Sequence, residues 1–193
     1  MFSRLDSPRM ILRRFAEADL ETFLAYRNDP EVARYQAWES CVEEEARALF
    51  REQERLEPGE PGHWFQFAMQ SRETGELVGN CALKVGEPDA RQGMIGCTLA
   101  RGRQGRGLAA EALACVLDYA FGPLNLHRVV ALTDCRNRAG ARLVEGLGLR
   151  REGHFIRNVW FKGEWADEYL YAILGDEWRR RPAGGRASPT PDS

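Results

Sequence analysis

Cysteine and histidine are scarce in this 193-residue chain, and their spacing argues against several kinds of site. The five cysteines are odd in number and scattered, and no two have the C-x-x-C spacing of a zinc or redox motif. The three histidines are too few for a histidine-rich metal site, and none forms a zinc pattern with a cysteine. We therefore predict reduced thiols and no metal centre.

Long apolar runs and an excess of charge of one sign are also missing. No apolar segment approaches the ~20 residues of a membrane span, and the N-terminal residues lack the apolar core of a secretion signal. The formal net charge of −2 provides no basic face for nucleic acid or for an anionic membrane. The sequence thus predicts a cytoplasmic protein with neither a nucleic-acid nor a membrane partner.

The composition that remains is that of a globular domain, with 44% hydrophobic and 29% charged residues. A chain of this length can bury roughly 70% of its unfolded surface in one core without a disulfide or metal. We predict a single domain over residues 1–178. The segment that follows is rich in Pro, Gly and Ser and has no apolar anchors, so residues 179–193 are predicted to be a disordered tail.

Hydrophobic periodicity predicts a mixed α/β fold. Three consecutive strand patterns joined by short turns indicate an antiparallel meander. A helical pattern then separates two strand patterns, which favours a parallel pair joined by a right-handed crossover. The predicted strands cover 9–15, 64–69, 77–85, 92–100, 128–133, 149–161 and 164–174, and the predicted helices cover 20–27, about 43–56, 107–121 and 137–147.

A glycine- and arginine-rich turn, residues 101–107, lies between a predicted strand and the longest predicted helix. Glycines let the backbone adopt positive φ and approach a ligand closely. Successive N–H groups, together with the positive end of a helix dipole, form a site for phosphate. Arg101, Arg103 and Arg106 could add charged contacts or remain solvated.

Three phosphate motifs compete for this turn. A P-loop requires Lys and then Ser or Thr after its last glycine, and Leu108-Ala109 follow Gly107 instead. The pattern Gly105-x-Gly107-x-x-Ala110 fits a dinucleotide fingerprint and predicts NADH binding. Against it, consecutive strands precede the turn, and the acidic residue at the next strand end, Asp134, comes late.

The third motif, Gln104-x-x-Gly107-x-Ala109, resembles the acetyl-CoA loop of the GNAT N-acyltransferases, in the branch that includes the ribosomal-protein N-acetyltransferases RimJ and RimL. The resemblance extends roughly from residue 8 to residue 178. It is carried by further segments in the same order: Pro-Arg-Met-Ile-Leu-Arg-Arg at 8–14, Leu-His-Arg-Val at 126–129, Asn-Arg-Ala-Gly at 137–140, Glu-Gly-Leu-Gly-Leu-Arg-Arg-Glu-Gly at 145–153 and Gly-Glu-Trp-Ala-Asp at 163–167.

The resemblance implies a GNAT-like mixed, mostly antiparallel sheet of about seven strands flanked by about four helices, with a splay between the fourth and fifth strands. It implies that acetyl-CoA is the cofactor and that the backbone near Leu99 donates to the thioester oxygen. Asn137 would contact the pantetheine arm. The implied cofactor residues are Thr98, Leu99, Ala100, Gln104, Gly105, Arg106, Gly107, Leu108, Ala109 and Asn137.

Proton transfer is where the sequence departs from the family. Members often carry Glu on the strand before the loop, Tyr in the later helix as the acid, or Ser in the RimJ/RimL branch. The matching positions here hold Met94, Val144 and Gly140. Either another residue accepts the proton, directly or through water, or catalysis rests mainly on positioning. Asp134, at the mouth of the implied splay, is one candidate for a general base.

The resemblance predicts an N-acetyltransferase that works by direct transfer in a ternary complex, as a monomer or homodimer, and we expect its acceptor to be a protein N-terminal amine. A small-molecule amine, such as a polyamine or an aminoglycoside, is the alternative acceptor. A CoA-binding sensor without catalysis is the alternative function, because the usual proton-transfer residues are absent. The predicted acceptor pocket contains Tyr35, Gln36, Trp38, Trp64 and Trp160.

Overall fold

A computed structural model describes residues 2–86 and 89–181. Its eight strands form one sheet in the order β1-β2-β3-β4-β5-β6-β8-β7. All neighbours pair antiparallel except β5 and β6. The strands are β1 (Arg4–Asp6), β2 (Met10–Arg13), β3 (Trp64–Ser71), β4 (Leu77–Val85), β5 (Gln92–Leu99), β6 (Arg128–Asp134), β7 (Arg150–Phe161) and β8 (Glu164–Leu174), and the helices are α1 (Leu20–Arg27), α2 (Pro30–Ala33), α3 (Glu43–Arg55), α4 (Leu108–Phe121), α5 (Arg138–Gly146) and α6 (Gly175–Arg179).

The predicted mixed α/β class and mostly antiparallel sheet are confirmed, and three short elements were missed. Strand β1 has three residues, too few to show alternation. Helix α6 is one short turn after the last strand. Helix α2 begins at Pro30, three residues after α1 ends, and has only four residues. The Asp29 side chain accepts the Glu31 N–H at 2.9 Å, so Pro30 occupies the first turn of a new helix.

The predicted splay lies between β5 and β6, the fourth and fifth of the strands predicted from sequence. These strands pair only from Gln92–Arg128 to Met94–Val130. Beyond this point β5 continues to Leu99 and β6 continues to Asp134, but the two strands no longer pair with each other. The sheet therefore opens between the C-terminal halves of its one parallel pair.

Two apolar clusters on opposite faces of the sheet fix the elements around this opening. The larger cluster joins the sheet to α4, α5 and α6. The smaller one joins it to α1 and α3 through Phe15, Phe23 and Phe50. Phe15 stacks on Phe50 with ring centroids 4.6 Å apart, and Phe23 meets Phe15 edge-on at 5.2 Å. Such pairs contribute about 0.5–1.5 kcal/mol each beyond burial, and they fix α1, which leads into α2 beside the splay.

The described residues continue past the predicted domain boundary at 178. Arg179 ends α6, and Arg181 donates to the Leu147 carbonyl and lies 5.1 Å from the Trp178 ring. The rest of the predicted tail, 182–193, lies outside the described residues. Within those that are described, no helix has both the length and the apolar character needed to cross a membrane.

Candidate functional site

A cavity of about 500 Å³ runs from the β5–α4 turn to the open splay. Eight of the ten cofactor residues implied by the sequence line it. The structure places the other two elsewhere: Ala100 packs against the smaller apolar cluster, and Arg106 lines a separate groove with Arg9. The eight are Thr98, Leu99, Gln104, Gly105, Gly107, Leu108, Ala109 and Asn137.

The turn before α4 presents an uninterrupted row of backbone donors. Gly105 and Gly107 both adopt φ of +72°, the left-handed region that favours glycine, and Gly107 is the N-cap of α4. Within the described part of the chain, none of the N–H groups from Gly105 to Ala110 makes a hydrogen bond. Together with the positive end of the α4 dipole, these donors form a cradle for an anion.

Arginines outnumber acids along the same cavity. Arg34, Arg101 and Arg142 line it, and Glu31 is the only carboxylate among the described residues that do so. Arg103, also considered for this role, instead forms an ion pair with Glu76. The cavity thus combines open N–H groups with an excess of cations, as phosphate groups require.

The edge of β5 offers a further donor inside the splay. The Ala100 N–H donates to the Val78 carbonyl at 3.0 Å, so Leu99, opposite Gly79, is a non-hydrogen-bonded position of the β4–β5 ladder. Its N–H and carbonyl therefore point away from β4, and the carbonyl accepts from Gln104 at 3.2 Å. The Leu99 N–H is open to the cavity, whereas the backbone of Thr98 and Ala100 faces β4.

The backbone of β4 bulges beside this donor. The β3–β4 register shifts between Met69 and Gln70, so Val78 of β4 has no residue opposite it in β3. A Cβ on Gly79 would lie 2.2 Å from the Thr98 carbonyl oxygen and 2.9 Å from the Leu99 Cα. Only glycine lets β4 approach β5 this closely at the C-terminal end of β5, beside the open splay.

A second chamber of about 260 Å³ continues from the first through the splay. Leu113 and Val144 line it from the α4 and α5 side of the sheet, and Val159 lines it from the other side. Its only charged lining groups among the described residues are the carboxylates of Asp134 and Glu168. We call this chamber the amine pocket, because a lining with carboxylates and without a cation suits an ammonium group.

The predicted acceptor residues divide between this pocket and other places. Tyr35 and Gln36 line it. Trp38 does not: its Nε1 donates to the Arg27 carbonyl at 3.2 Å and its ring stacks on the Arg27 guanidinium. Trp64 is a partly exposed residue at the start of β3. Trp160 meets Trp165 edge-on, on the face of β7 opposite to Val159.

Asp134 is held by Arg136, which disfavours it as a base. The Arg136 guanidinium donates to both carboxylate oxygens, and its backbone N–H donates to Oδ1 at 2.8 Å. Burial acts to raise the pKa of Asp134, but the hydrogen bonds and charge of Arg136 outweigh it and hold that pKa below its usual value. A carboxylate stabilised in this way is a poor proton acceptor.

Glu168 is a pocket residue that sequence reasoning missed. It lies opposite Asp134 in the β6–β8 register, so both side chains share one face of the sheet. The Asn158 amide donates to its Oε2 at 2.6 Å, and within the described residues no cation pairs with it. The only sequence signal was its alternation with the core residue Tyr169, which does not identify a pocket.

Met94, Gly140 and Val144 occupy the positions at which this sequence lacks the usual proton-transfer residues of the family. Gly140 and Val144 line the amine pocket and supply no proton donor. A Cβ on Gly140 would lie 2.8 Å from the Asn137 Nδ2 and 2.9 Å from the Thr133 Oγ1, so a serine would require a shift. Met94 forms the last pair of β5 with β6.

Asn137 caps α5 by accepting the Gly140 N–H at 2.8 Å, and it also lines both chambers.

Glu111 anchors the N-terminal turn to α4. Its carboxylate accepts the Ser7 hydroxyl at 2.7 Å, the Arg9 N–H at 2.7 Å and the Arg9 Nε at 2.6 Å. Burial acts to raise the pKa of Glu111, but these bonds outweigh it and keep that pKa below its ordinary value. Glu111 is thus a negative charge in the first turn of α4, where it also complements the helix dipole.

Comparisons with known proteins agree with this geometry. Residues 9–150 match the acetyltransferase (GNAT) domain family. The uncharacterized N-acetyltransferase YnaD of Bacillus subtilis is 30% identical over 176 residues, covering 90% of this chain and 98% of the relative. The structure of Mycobacterium smegmatis RimJ in complex with CoA-disulfide is 25% identical and has a TM-score of 0.77, covering 95% and 94% of the two chains. That of spermidine N-acetyltransferase from Vibrio cholerae in complex with CoA and spermine is similar in fold, with 21% identity, a TM-score of 0.77, and coverage of 89% and 99%.

The family match covers most of the chain, and YnaD aligns along nearly its whole length. The predicted resemblance, including its RimJ-like character, is thereby confirmed. The chain belongs to the GNAT family and is an N-acetyltransferase.

Proposed function

We propose that this protein transfers acetyl from acetyl-CoA directly to a primary amine, the N-terminal amine of a peptide, in a ternary complex. One observation carries the proposal: a continuous cavity joins open N–H groups and cations at one end to an acid-lined chamber at the other. The Leu99 N–H lies between the two ends.

The residues present fit a CoA thioester. The N–H groups from Gly105 to Ala110 would hold its phosphates, with Arg101 adding charge. Acetyl-CoA, when bound, supplies an activated acyl group. The Leu99 N–H would stabilise negative charge that develops on the reacting carbonyl oxygen.

Glu168 would orient the acceptor and accept its proton. Its carboxylate would bind the incoming ammonium and take the proton at Oε1, directly or through water. Asn158 fixes the other oxygen. Because Gly140 and Val144 carry no acid, catalysis would rest mainly on positioning and on the Leu99 donor.

An exposed apolar floor beside Glu168 supports a peptide as the acceptor. Leu132 and Phe155 are each 38% exposed, although both lie on sheet strands. Phe155 lies opposite Glu168, and Leu132 is two residues before Asp134 on the same face. This floor would contact the first side chains of an extended peptide whose amine reaches Glu168.

A thermal-shift titration with acetyl-CoA, CoA and NADH tests the cofactor. A cofactor at about 100 times its Kd adds roughly 2.7 kcal/mol to the free energy of unfolding. We expect the melting temperature to rise with both CoA species and not with NADH. A rise with NADH alone would revive the dinucleotide alternative and contradict the proposal.

Turnover assays with labelled acetyl-CoA test the reaction and its acceptor. We expect peptides with a free N-terminus to be acetylated faster than spermidine or an aminoglycoside, and N-blocked peptides not at all. Binding of CoA without turnover of any amine would favour the non-catalytic sensor.

A further inference from the structure

A third chamber, of about 210 Å³, adjoins the outer side of the amine pocket. Tyr35 and Phe161 line both. We call it the outer chamber. Its remaining lining residues within the described part of the chain are Arg34, Arg136, Lys162 and Glu164, so cations outnumber acids among them by three to one. The charge of the lining thus reverses between the amine pocket and its outer side.

Arg136 does not contribute free charge to the outer chamber. Its guanidinium pairs with Glu164 and with Asp134. This triad has a net charge of −1, so it cannot account for a preference for anions. The preference depends on the other two cations.

Lys162 and Arg34 are the cations that lack a close carboxylate. The Lys162 Nζ donates to the Ala33 carbonyl at 2.6 Å, and no ion pair of this lysine occurs in the described part of the chain. Arg34 lies 4.0 Å from Glu31, the limit of an ion pair, and both side chains are more than half exposed. Such a loose pair is worth little, so both cations remain available.

We propose that the preferred acceptor is a peptide whose N-terminal amine is followed closely by an acidic residue. This inference rests on the proposed function. Glu168 would bind the ammonium, while Lys162 and Arg34 would bind the following carboxylate across Tyr35 and Phe161. A polyamine would instead bring further ammonium groups toward these two cations and be repelled.

The test compares two short peptides that differ only in carrying Asp-Glu or Asn-Gln after an N-terminal alanine. The ratio of their kcat/KM values is measured at saturating acetyl-CoA, because Arg34 also lines the cofactor cavity. Spermidine is the third acceptor. We expect the wild-type protein to prefer the acidic peptide over the neutral one, and both over spermidine, with the peptide ratio falling at high salt.

Variants then locate the preference. Lys162→Gln and Arg34→Gln should each reduce the ratio by roughly two- to fivefold, the range of a single exposed ion pair. Lys162→Arg and Arg34→Lys keep the charge and should retain the ratio. Arg180→Gln removes an exposed charge after α6, which follows the C-terminal end of β8, whereas Glu164 and Glu168 lie nearer its N-terminal end; this variant should leave the ratio unchanged.

The outcomes separate this inference from the proposed function. Equal turnover of the two peptides, or a ratio that the glutamine variants leave intact, would overturn the acidic preference while keeping peptide acetylation. Faster turnover of spermidine than of either peptide would overturn both the acidic preference and the peptide acceptor. Absence of turnover with all three acceptors, despite CoA binding, would overturn both proposals.

Discussion

The phosphate cradle and the amine pocket lie in one cavity system, yet they are built by different means. The cradle consists of backbone N–H groups from a single run, Gly105 to Ala110. The amine pocket consists of side chains from separated segments, among them Tyr35, Asp134, Val159 and Glu168. The cradle requires a particular backbone conformation, which its glycines permit. The amine pocket instead requires particular charged side chains, which strand pairing brings together.

Because of this difference, substitutions in the cradle and in the amine pocket should act in different ways. Substitutions in the cradle should act through φ and close approach, largely independent of side-chain chemistry. Substitutions in the amine pocket should act through the charge of one group. Four variants, from the largest expected effect to the smallest, test this contrast.

Gly79→Ala should cause the largest loss, because a Cβ would lie 2.2 Å from a backbone oxygen of β5. We expect the free energy of unfolding to fall by about 3 kcal/mol, the upper end for overpacking. Chemical denaturation measures this loss. Gly96→Ala, where a Cβ would meet no atom within 4 Å, is the stability control and should unfold as the wild type does. Equal stability of the two variants would contradict the close approach of β4 to β5.

Gly107→Val should weaken CoA binding at least a hundredfold, or about 2.7 kcal/mol. The turn could no longer approach phosphate without strain, because valine disfavours the φ of +72°. Gly75→Val is a matched control, since Gly75 has a φ of +73° in the β3–β4 turn. Both variants should lose a similar amount of stability, about 1–3 kcal/mol, but only Gly107→Val should lose CoA affinity by calorimetry. Unchanged affinity would place the phosphate site elsewhere.

Glu168→Gln should lower kcat/KM for the amine about tenfold, or 1.4 kcal/mol, while CoA affinity stays the same. Glutamine keeps an acceptor for the Asn158 amide but loses the negative charge. The shape of the pH–rate profile should also change, because the group proposed to accept the proton would be gone. Glu73→Gln, an exposed site in the β3–β4 turn, is the control. A wild-type profile in Glu168→Gln would assign proton transfer to another group.

Glu111→Gln should have the smallest effect, about 1 kcal/mol of unfolding free energy, because it loosens the anchor behind the cradle. The folded-state pKa of Glu111 is lowered, so its stabilisation is present at neutral pH. This stabilisation is lost as the pH falls through about 4, the pKa of glutamate in an unfolded chain, and on through the lower pKa of the folded state. The difference between variant and wild type should therefore shrink on acidification in denaturation curves. A pH-independent difference would mean that the Glu111 charge does not contribute.

The contrast between the phosphate cradle and the amine pocket also explains which parts of the site could be predicted from the sequence. The strands and longer helices followed from periodicity, and the cradle followed from glycines that are adjacent in sequence. Trp38, Trp64 and Trp160 were assigned to the acceptor pocket as aromatic residues of predicted loops and strands, and none of them lines it. Arg106 was assigned with its neighbours in the turn, but it lines a separate groove with Arg9. Residue type and proximity in sequence do not determine on which face a side chain lies.

The sequence by itself determined the α/β class, the family and the glycine turn, because these depend on local periodicity and on short motifs that are each contiguous in the chain. Only the tertiary structure showed which carboxylate lining the amine pocket is paired with a cation and which, among the described residues, is not. Register placed Asp134 and Glu168 side by side, and an ion pair with Arg136 then distinguished them. The charge reversal toward the outer chamber was likewise decided by folding, because Arg34 and Lys162 are 128 positions apart in the chain and meet only through the contact of Lys162 with Ala33.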